Sequence, residues 1–462
     1  MNVSIKINDL CELPNIIDTF TASKSSDEFL NSNYYQDFQE TLEIFIDEFI
    51  NNNIHLYPDK HFDEYLYDYI YEITIGLFNN LLIDIDIDLQ DIIEYIIYCY
   101  YLKNLNCRSF KKTFIIDKPN VKKIKKQIKA YENMEQPAQK TEAWYKFRWN
   151  GLTASSLWKA LDSQSSKNSI IYQKCKPLDL KKTKGCNINS PFHNGHKYEP
   201  LSIIIYEDWF KTKVAEVGAI KHATHPFLRA SPDGINGDPK NPRFGRALEI
   251  KNPVNRELTG IPKKDYWIQM QLQMEVWDLE ECDFLETIFK EYDNEEAFLN
   301  DGNEFNKTKD GKLKGVIVRF FDGNEPVYKY PPLNLNQKEF DKWYDKVMDE
   351  DNNLSWIENI YWYMDNYSLV LVPRNKKWFN SVLPELQDVW NTILKERKTG
   401  YEHRKPNKKP RKKKEKENIT VLKKKKSNIK TKLNLPDSPI VKTGTIVIKV
   451  RTESFEESQE NN

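Results

Sequence analysis

Residues 231–253 read SPDGINGDPKNPRFGRALEIKNP, and this stretch decides the fold. Arg246–Lys251 has the composition of a strand, so Glu249 and Lys251, two apart, point to the same face. Asp233 lies in a Pro-Asp-Gly turn at 232–234, after the extended segment Phe227–Ser231. Two carboxylates and one lysine brought together by a strand pair form a candidate site for a hard divalent cation with oxygen ligands. Such an ion lowers the pKa of a bound water and clamps phosphate oxygens. The lysine can orient or deprotonate that water, or neutralise charge developing on the phosphate. Taken alone the pattern also has an ordinary reading: such turns are common, and an E-x-K strand is usually a salt-bridged edge.

Working outward, the flanks carry three further features. Upstream, HNGHKYEPLSIIIYEDWF predicts a helix over Glu199–Phe210, with Glu199 at its start and Leu201, Ile204, Ile205 and Trp209 on its apolar face. The ordinary role for Glu199 is a carboxylate favoured by the helix dipole. Downstream, YWIQMQLQMEVW predicts a helix over Asp265–Trp277 with Gln269 and Gln273 on one face. Earlier in the chain, WYKFRWNGLTASS places Arg148 before an Asn150-Gly151 turn, followed by a second helix capped by Thr153 or Ser155. A helix N-terminus bearing hydroxyls beside an arginine suits a phosphate, and equally suits plain capping. Further strands are expected at Val214–Lys221, Phe284–Lys290 and Gly315–Phe321, and a polar loop over about 162–190. The fold class is therefore α/β.

The chain has 462 residues and a formal net charge of zero, but the charge is segregated. Residues 1–100 hold 20 acidic and three basic residues (Lys6, Lys24, Lys60). Residues 108–129 carry a net +8 and residues 397–432 a net +14. A zero average thus does not argue against a nucleic-acid partner. Apolar residues at three- and four-residue spacing (Phe38, Leu42, Ile46, Phe49) make residues 1–105 an acidic helical domain. Residues 106–137 read as a basic connector, helical over Val121–Tyr131, and 138–345 as the α/β core. Residues 346–400 are expected to be C-terminal helices, at about 336–350 and 376–398, and 401–462 a disordered Lys-rich tail. Six scattered cysteines without a CxxC pair, and no apolar leader, point to an intracellular protein. No transmembrane helix is expected.

Each feature is ambiguous alone, but their order is not. W-x3-R-x4-TAS, then G-x3-E, SPDG, E-I-K-x-P and Y-x2-Q-x-Q-x-QM resemble the YqaJ-like viral recombinase family over roughly residues 140–290. This is the lambda-exonuclease type of the PD-(D/E)xK nucleases. The resemblance implies a restriction-endonuclease-like core, a central mixed sheet flanked by helices, and an origin in a large DNA virus. It implies a 5′-to-3′ exonuclease on linear duplex DNA, acting in recombination or end resection. By the resemblance Asp233, Glu249 and Glu199 are metal-binding carboxylates, with the backbone carbonyl of Ile250 beside them. Lys251 corresponds to the catalytic lysine and Gln269 to the glutamine supporting it. Arg148, Ser155 and Ser231 correspond to residues gripping the 5′-phosphate. Two Mg2+ ions are implied, with Mn2+ able to substitute. So are double-stranded DNA ends as substrate, a single-strand annealing protein as partner, and in some members a ring-like trimer. Residue 252 is Asn before Pro253, where relatives often have Cys; this position lies outside the implied metal shell.

Other readings compete. His193-x2-His196 and His222-x2-His225 could be zinc pairs, though neither has a Cys partner at finger spacing. The iron–sulfur variant of the superfamily is excluded, because the last cysteine is Cys282. An endonuclease on the same core, or a non-catalytic DNA-binding scaffold using the basic tail, are the functional rivals. The tail could instead be a nuclear-localisation run, or bind the acidic head in cis. The implied location is the host cytoplasm or a viral factory, with the nucleus open to the basic tail.

Overall fold

A computed structural model describes residues 33–82, 89–104, 107–116, 118–132, 134, 136–139, 141–179, 188, 190–350 and 354–406. Of the tail expected to be disordered over 401–462, residues 401–406 are described and form a 3-10 turn, Glu402–Arg404, with Arg404 bonded to Glu396; the rest, and the first 32 residues of the acidic head, lie outside the described residues. The chain divides into two units, one built mainly on the segment before residue 105 and one on 106–413.

In the first unit, α1 (Asn33–Asn52), α2 (Phe62–Leu82) and α3 (Leu89–Asn104) pack on one another. Phe38, Leu42, Ile46 and Phe49 are buried, as their spacing requires. Acids face outward and pair locally: Lys103 Nζ reaches Glu43 at 2.8 Å, and Tyr100 donates to Asp47 at 2.9 Å.

The second unit begins with helix α4 (Val121–Glu132), whose lysines at 122, 123, 125, 126 and 129 are exposed. Helix α5 (Glu142–Trp149) follows, capped by Thr141, and then a two-residue strand β1 (Leu152–Thr153) and a single turn α6 (Ala154–Leu157). Thr153 occupies the cap position of α6 without a side-chain cap bond, so the expected second helix is shorter and less capped than its sequence suggested. The supposed polar loop over 162–190 contains helix α7 (Gln164–Cys175). Its apolar members Ile170, Ile171 and Cys175 are buried, which is enough to fix a helix that reads as polar overall.

Helix α8 (Pro191–Phe210) starts eight residues before Glu199, capped by Ser190. Glu199 therefore sits in its third turn, and the dipole reading of that carboxylate fails. The expected strand Val214–Lys221 is split. Strand β2 (Val214–Ala215) pairs with β5 (Gly234–Asn236), while β3 (Ile220–Lys221) pairs with β4 (Leu228–Ala230) in a separate three-stranded sheet, order β1-β4-β3.

Strand β6 (Ala247–Lys251), helix α9 (Lys264–Val276) and strand β7 (Glu281–Glu291) form a parallel crossover unit. Beyond it come α10 (Glu295–Leu299), β8 (Lys314–Phe321), β9 (Pro326–Lys329), α11 (Gln337–Glu350), β10 (Ser355–Pro373) and α12 (Lys376–Thr399). The main sheet has seven strands in the order β2-β5-β6-β7-β10-β8-β9, with β6–β7 parallel and the other pairs antiparallel. This is the mixed sheet flanked by helices that the α/β reading expected. The C-terminal region is not all helical, however: β10 is a 19-residue strand joining β7 to β8 at the centre of the sheet. The crossover leaves no solvent-facing side on β6. Leu248 and Ile250 pack with Tyr206 of α8 and Leu285 of β7, and Glu249 is buried on the other side. Among the described residues no helix is long and apolar enough to cross a membrane.

Candidate active site

Strand β6 alternates, so its two faces receive different chemistry. Glu249 and Lys251 project together, and Lys251 Nζ contacts Glu249 Oε1. Glu249 is fully buried, and a buried carboxylate needs donors. Helix α9 supplies them: Gln269 Nε2 donates to Oε1 at 2.6 Å and Gln273 Nε2 to Oε2 at 2.6 Å. The two glutamines are four apart, one turn of helix, so both reach the same group. Gln271, two residues from each, faces away; it donates to the carbonyl of Pro373 at 2.9 Å and accepts from the Asn375 N–H at 2.7 Å. Gln273 also donates to the carbonyl of Ser231 at 3.0 Å, tying the Asp233 turn to α9.

Asp233 enters from the turn before β5. Its N–H donates to the Leu248 carbonyl at 3.1 Å, and its Oδ2 accepts the Ile250 N–H at 2.6 Å. Ile250 thus links the two acidic positions through the backbone, while its side chain fills the core. Burial pushes the Asp233 carboxyl well above the usual carboxylate range; Glu249 and Glu199 add to the rise and Lys251 opposes it. Glu199 is raised by burial and then by Glu249. For Lys251, burial works against the charge, but Glu249 and Asp233 outweigh it and raise the ammonium pKa.

Glu199, Asp233, Ile250, Lys251 and Gln269 line one cleft of about 1650 Å³. The same cleft is lined by Arg148, Ser155 and Ser231. Arg148 Nη2 donates to Ser155 Oγ at 3.1 Å, and its guanidinium lies 4.6 Å from the Trp144 ring centroid. Ser231 Oγ donates to the Val217 carbonyl at 3.1 Å, so its hydroxyl proton is engaged by protein. The structure therefore brings every residue singled out in the sequence to this cleft or, for Glu249, directly behind it.

The donor chemistry suits a hard cation: three carboxylates share this neighbourhood, and burial first, then the Glu249 charge, raises Asp233 and Glu199. The carbonyl oxygen Oε1 of Gln273, whose amide nitrogen binds Glu249, is buried without a hydrogen-bond partner. In this arrangement, among the described residues, no three His, Cys, Asp or Glu side chains converge as a closed ligand set. Both oxygens of Glu249 are taken by Lys251 and the two glutamines. Of the four histidines, His193 and His196 line the same cleft, whereas His222 and His225 do not. His193 Nε2 lies 2.5 Å from the Tyr328 hydroxyl. The Nδ1 of His222 accepts the His225 N–H at 3.0 Å, and its Nε2 faces Glu275. Of the residues the sequence left without a role, Gln273 is the main addition; its spacing from Gln269 was the available signal.

Comparison with known proteins gives the same segment a family. Residues 143–280 match the model of the YqaJ-like viral recombinase domain. An uncharacterized protein, R354, of Acanthamoeba polyphaga mimivirus is 30% identical over 309 residues, covering 58% of this chain. The chain spans about half the length of that relative, 54%. Among solved structures, the alkaline exonuclease LHK-Exo of Laribacter hongkongensis is 20% identical, covers 57% of this chain and 95% of its own, and superposes with a TM-score of 0.31. A phage-related exonuclease of Haemophilus somnus is 13% identical, covers 53% and 94% respectively, and has a TM-score of 0.29. The buried glutamate, the Asp233 turn and Arg148 all lie within the residues that match the YqaJ-like viral recombinase domain model.

Proposed function

We propose that the protein is a magnesium-dependent DNA exonuclease that shortens linear duplex DNA from its ends with 5′-to-3′ polarity, in recombination or end resection. The observation that carries this reading is that Asp233, Glu199 and Lys251, with Glu249 buried beside Lys251, share a cleft with Arg148 and Ser155. Asp233, Glu249, Glu199 and the Ile250 carbonyl would hold the metal, which when bound supplies an activated water and charge neutralisation at the phosphate. Gln269 and Gln273 donate to both oxygens of the Glu249 carboxylate and fix it in its buried place. Lys251 presents its ammonium to the cleft, where it orients a water for in-line attack or neutralises charge on the scissile phosphate. Arg148 and Ser155 offer adjacent donors to a terminal phosphate, a geometry that favours a monoester end carrying up to two charges over a singly charged internal phosphodiester.

The test is digestion of linear and closed circular duplex by the purified protein, with magnesium or with EDTA. Shortening of the linear form alone, abolished by EDTA, is the expected result. A nicked circle overturns the exonuclease reading in favour of an endonuclease. No digestion of either form in magnesium or manganese leaves the DNA-binding scaffold. End-labelled substrates read the polarity in the same assay.

A further inference from the structure

The carboxyl end of α5, the helix that carries Arg148, is held in an unusual way. The last carbonyls of a helix have no intrahelical donor and are ordinarily met by water or by a following turn. Here three of them are each taken by a cation from a different element. Arg229 of β4 donates Nη1 to the Phe147 carbonyl. Lys174 of α7 donates Nζ to the Arg148 carbonyl at 2.5 Å. Arg397 of α12 donates Nη2 to the Trp149 carbonyl at 2.8 Å. Arg397 also donates Nε and Nη2 to the Lys174 carbonyl at 3.0 and 2.8 Å, so α7 and α12 hold each other as they hold α5. Its guanidinium stacks 3.5 Å from the Trp149 ring centroid, and that of Arg229 lies 4.3 Å from Phe147.

This grouping is not what stability alone selects. Arg229 and Lys174 are buried. Burial, with the charges of Arg148, Arg229 and Arg397, brings the Lys174 pKa down to about 7. Three cations beside Arg148 repel one another, and carbonyl dipoles at the negative helix end, with the Phe147 and Trp149 rings, help to offset that repulsion. The turn that follows is equally tight: a Cβ on Gly151 would lie 2.6 Å from Arg229 Nε and 2.7 Å from the Phe227 carbonyl. The result is a firm mount for Arg148, which lines the cleft beside Ser155, as Arg229 also does.

We propose that Arg229, Lys174 and Arg397 are positioning residues that clamp the end of α5 and so aim Arg148 at the terminal phosphate of a DNA end. The proposal rests on the exonuclease reading and on Arg148 meeting that phosphate. Arg397 is the informative member, because it lies outside residues 143–280 and outside the cleft lining. A misplacement of about 1 Å in such a group can cost on the order of 100-fold.

The test is equilibrium binding, in EDTA, of hairpin duplexes ending in 5′-phosphate or 5′-hydroxyl, with thermal unfolding as a control. Wild type should prefer the phosphorylated end. Arg397→Ala should lose that preference by about tenfold while its affinity for the hydroxyl end is unchanged, and Arg397→Lys should recover part of it. Lys174→Met, which keeps the volume of the side chain, should show the same selective loss and remains informative if Arg397→Ala does not fold. An unchanged preference in folded variants, or an equal loss for both ends, overturns the proposal alone. A wild-type protein that does not discriminate ends overturns the role of Arg148 as well, and with it the proposal. The digestion assay in magnesium separately reports whether the exonuclease reading still stands.

Discussion

The two walls of the cleft solve opposite electrostatic problems by different means. At one, acids crowd: burial, and then the Glu249 charge, raises the pKa of Asp233 and Glu199, and a lysine and two amides hold Glu249. At the other, cations crowd, and helix carbonyls rather than carboxylates hold them. The difference teaches what each wall is for. A carboxylate answered by a neighbouring lysine leaves the acidic wall able to exchange that lysine's charge for another cation. Guanidinium groups stay charged across the ordinary pH range, whereas Lys174, brought down to about 7, is only partly charged near neutrality, so the positive field beside Arg148 comes chiefly from the arginines.

The largest expected effect comes from breaking the acidic wall. Lys251→Ala and Asp233→Ala should each reduce magnesium-dependent digestion on the order of 100- to 1000-fold. Duplex binding measured in EDTA should be retained. Digestion within a few fold of wild type in either variant would remove these residues from the chemistry.

Removing a glutamine sharpens the same comparison, because it withdraws a neutral donor rather than a charge. Gln273→Leu leaves a buried Glu249 oxygen with one donor fewer and should lower stability by about 1–3 kcal/mol. Urea unfolding of this variant beside Gln271→Leu separates the two faces of α9, since Gln271 touches only the Pro373–Asn375 backbone. Activity should fall with Gln273→Leu and survive Gln271→Leu in whatever fraction remains folded.

The arginine wall should break through shape before charge. Gly151→Ala places a methyl group against the Phe227 carbonyl and the Arg229 side chain. It should cost about 1–3 kcal/mol and displace the arginine. The loss would appear in the thermal midpoint and in selectivity for phosphorylated ends; an unperturbed midpoint would mean that the turn has slack the packing does not show.

The smallest effect is one of pH. The folded pKa of Lys174, about 7, lies below its ordinary 10.5, so between those values the unfolded chain carries a proton that the folded chain has released. Stability contributed by this group therefore rises with pH across that window, and the burial cost is fully present below about pH 7. Lys174→Met removes that cost. The stability of the variant relative to wild type should be highest near pH 6 and decline as pH approaches 10, as read by urea unfolding at stepped pH. A difference independent of pH would place the lysine proton elsewhere.

Much of this was legible beforehand, for identifiable reasons. Glu249 and Lys251 share a face because strands alternate, and Gln269 and Gln273 share one because helices repeat at nearly four residues. Asp233 was marked by its Pro-Gly flanks. Other elements were hidden. Gln164–Cys175 reads as polar, because only Ile170, Ile171 and Cys175 carry its buried contacts. Ser355–Pro373 mixes aromatic and polar residues so evenly that its place at the centre of the sheet shows only when β7 and β8 flank it. Val214–Lys221 looks continuous, yet its ends serve two different sheets.

The sequence by itself determined the local chemistry: which residues could carry charge or accept a proton, and which of them share a face within one strand or helix, because backbone periodicity acts over a few residues. It also determined the family of residues 143–280 through the order of its motifs. Only the tertiary structure decided which distant elements meet. It closed α9 over Glu249, set Glu199 in the third turn of its helix, and brought Arg397 more than two hundred residues along the chain to the end of α5. Those pairings arise from long-range packing of buried surface, and no short-range pattern encodes them.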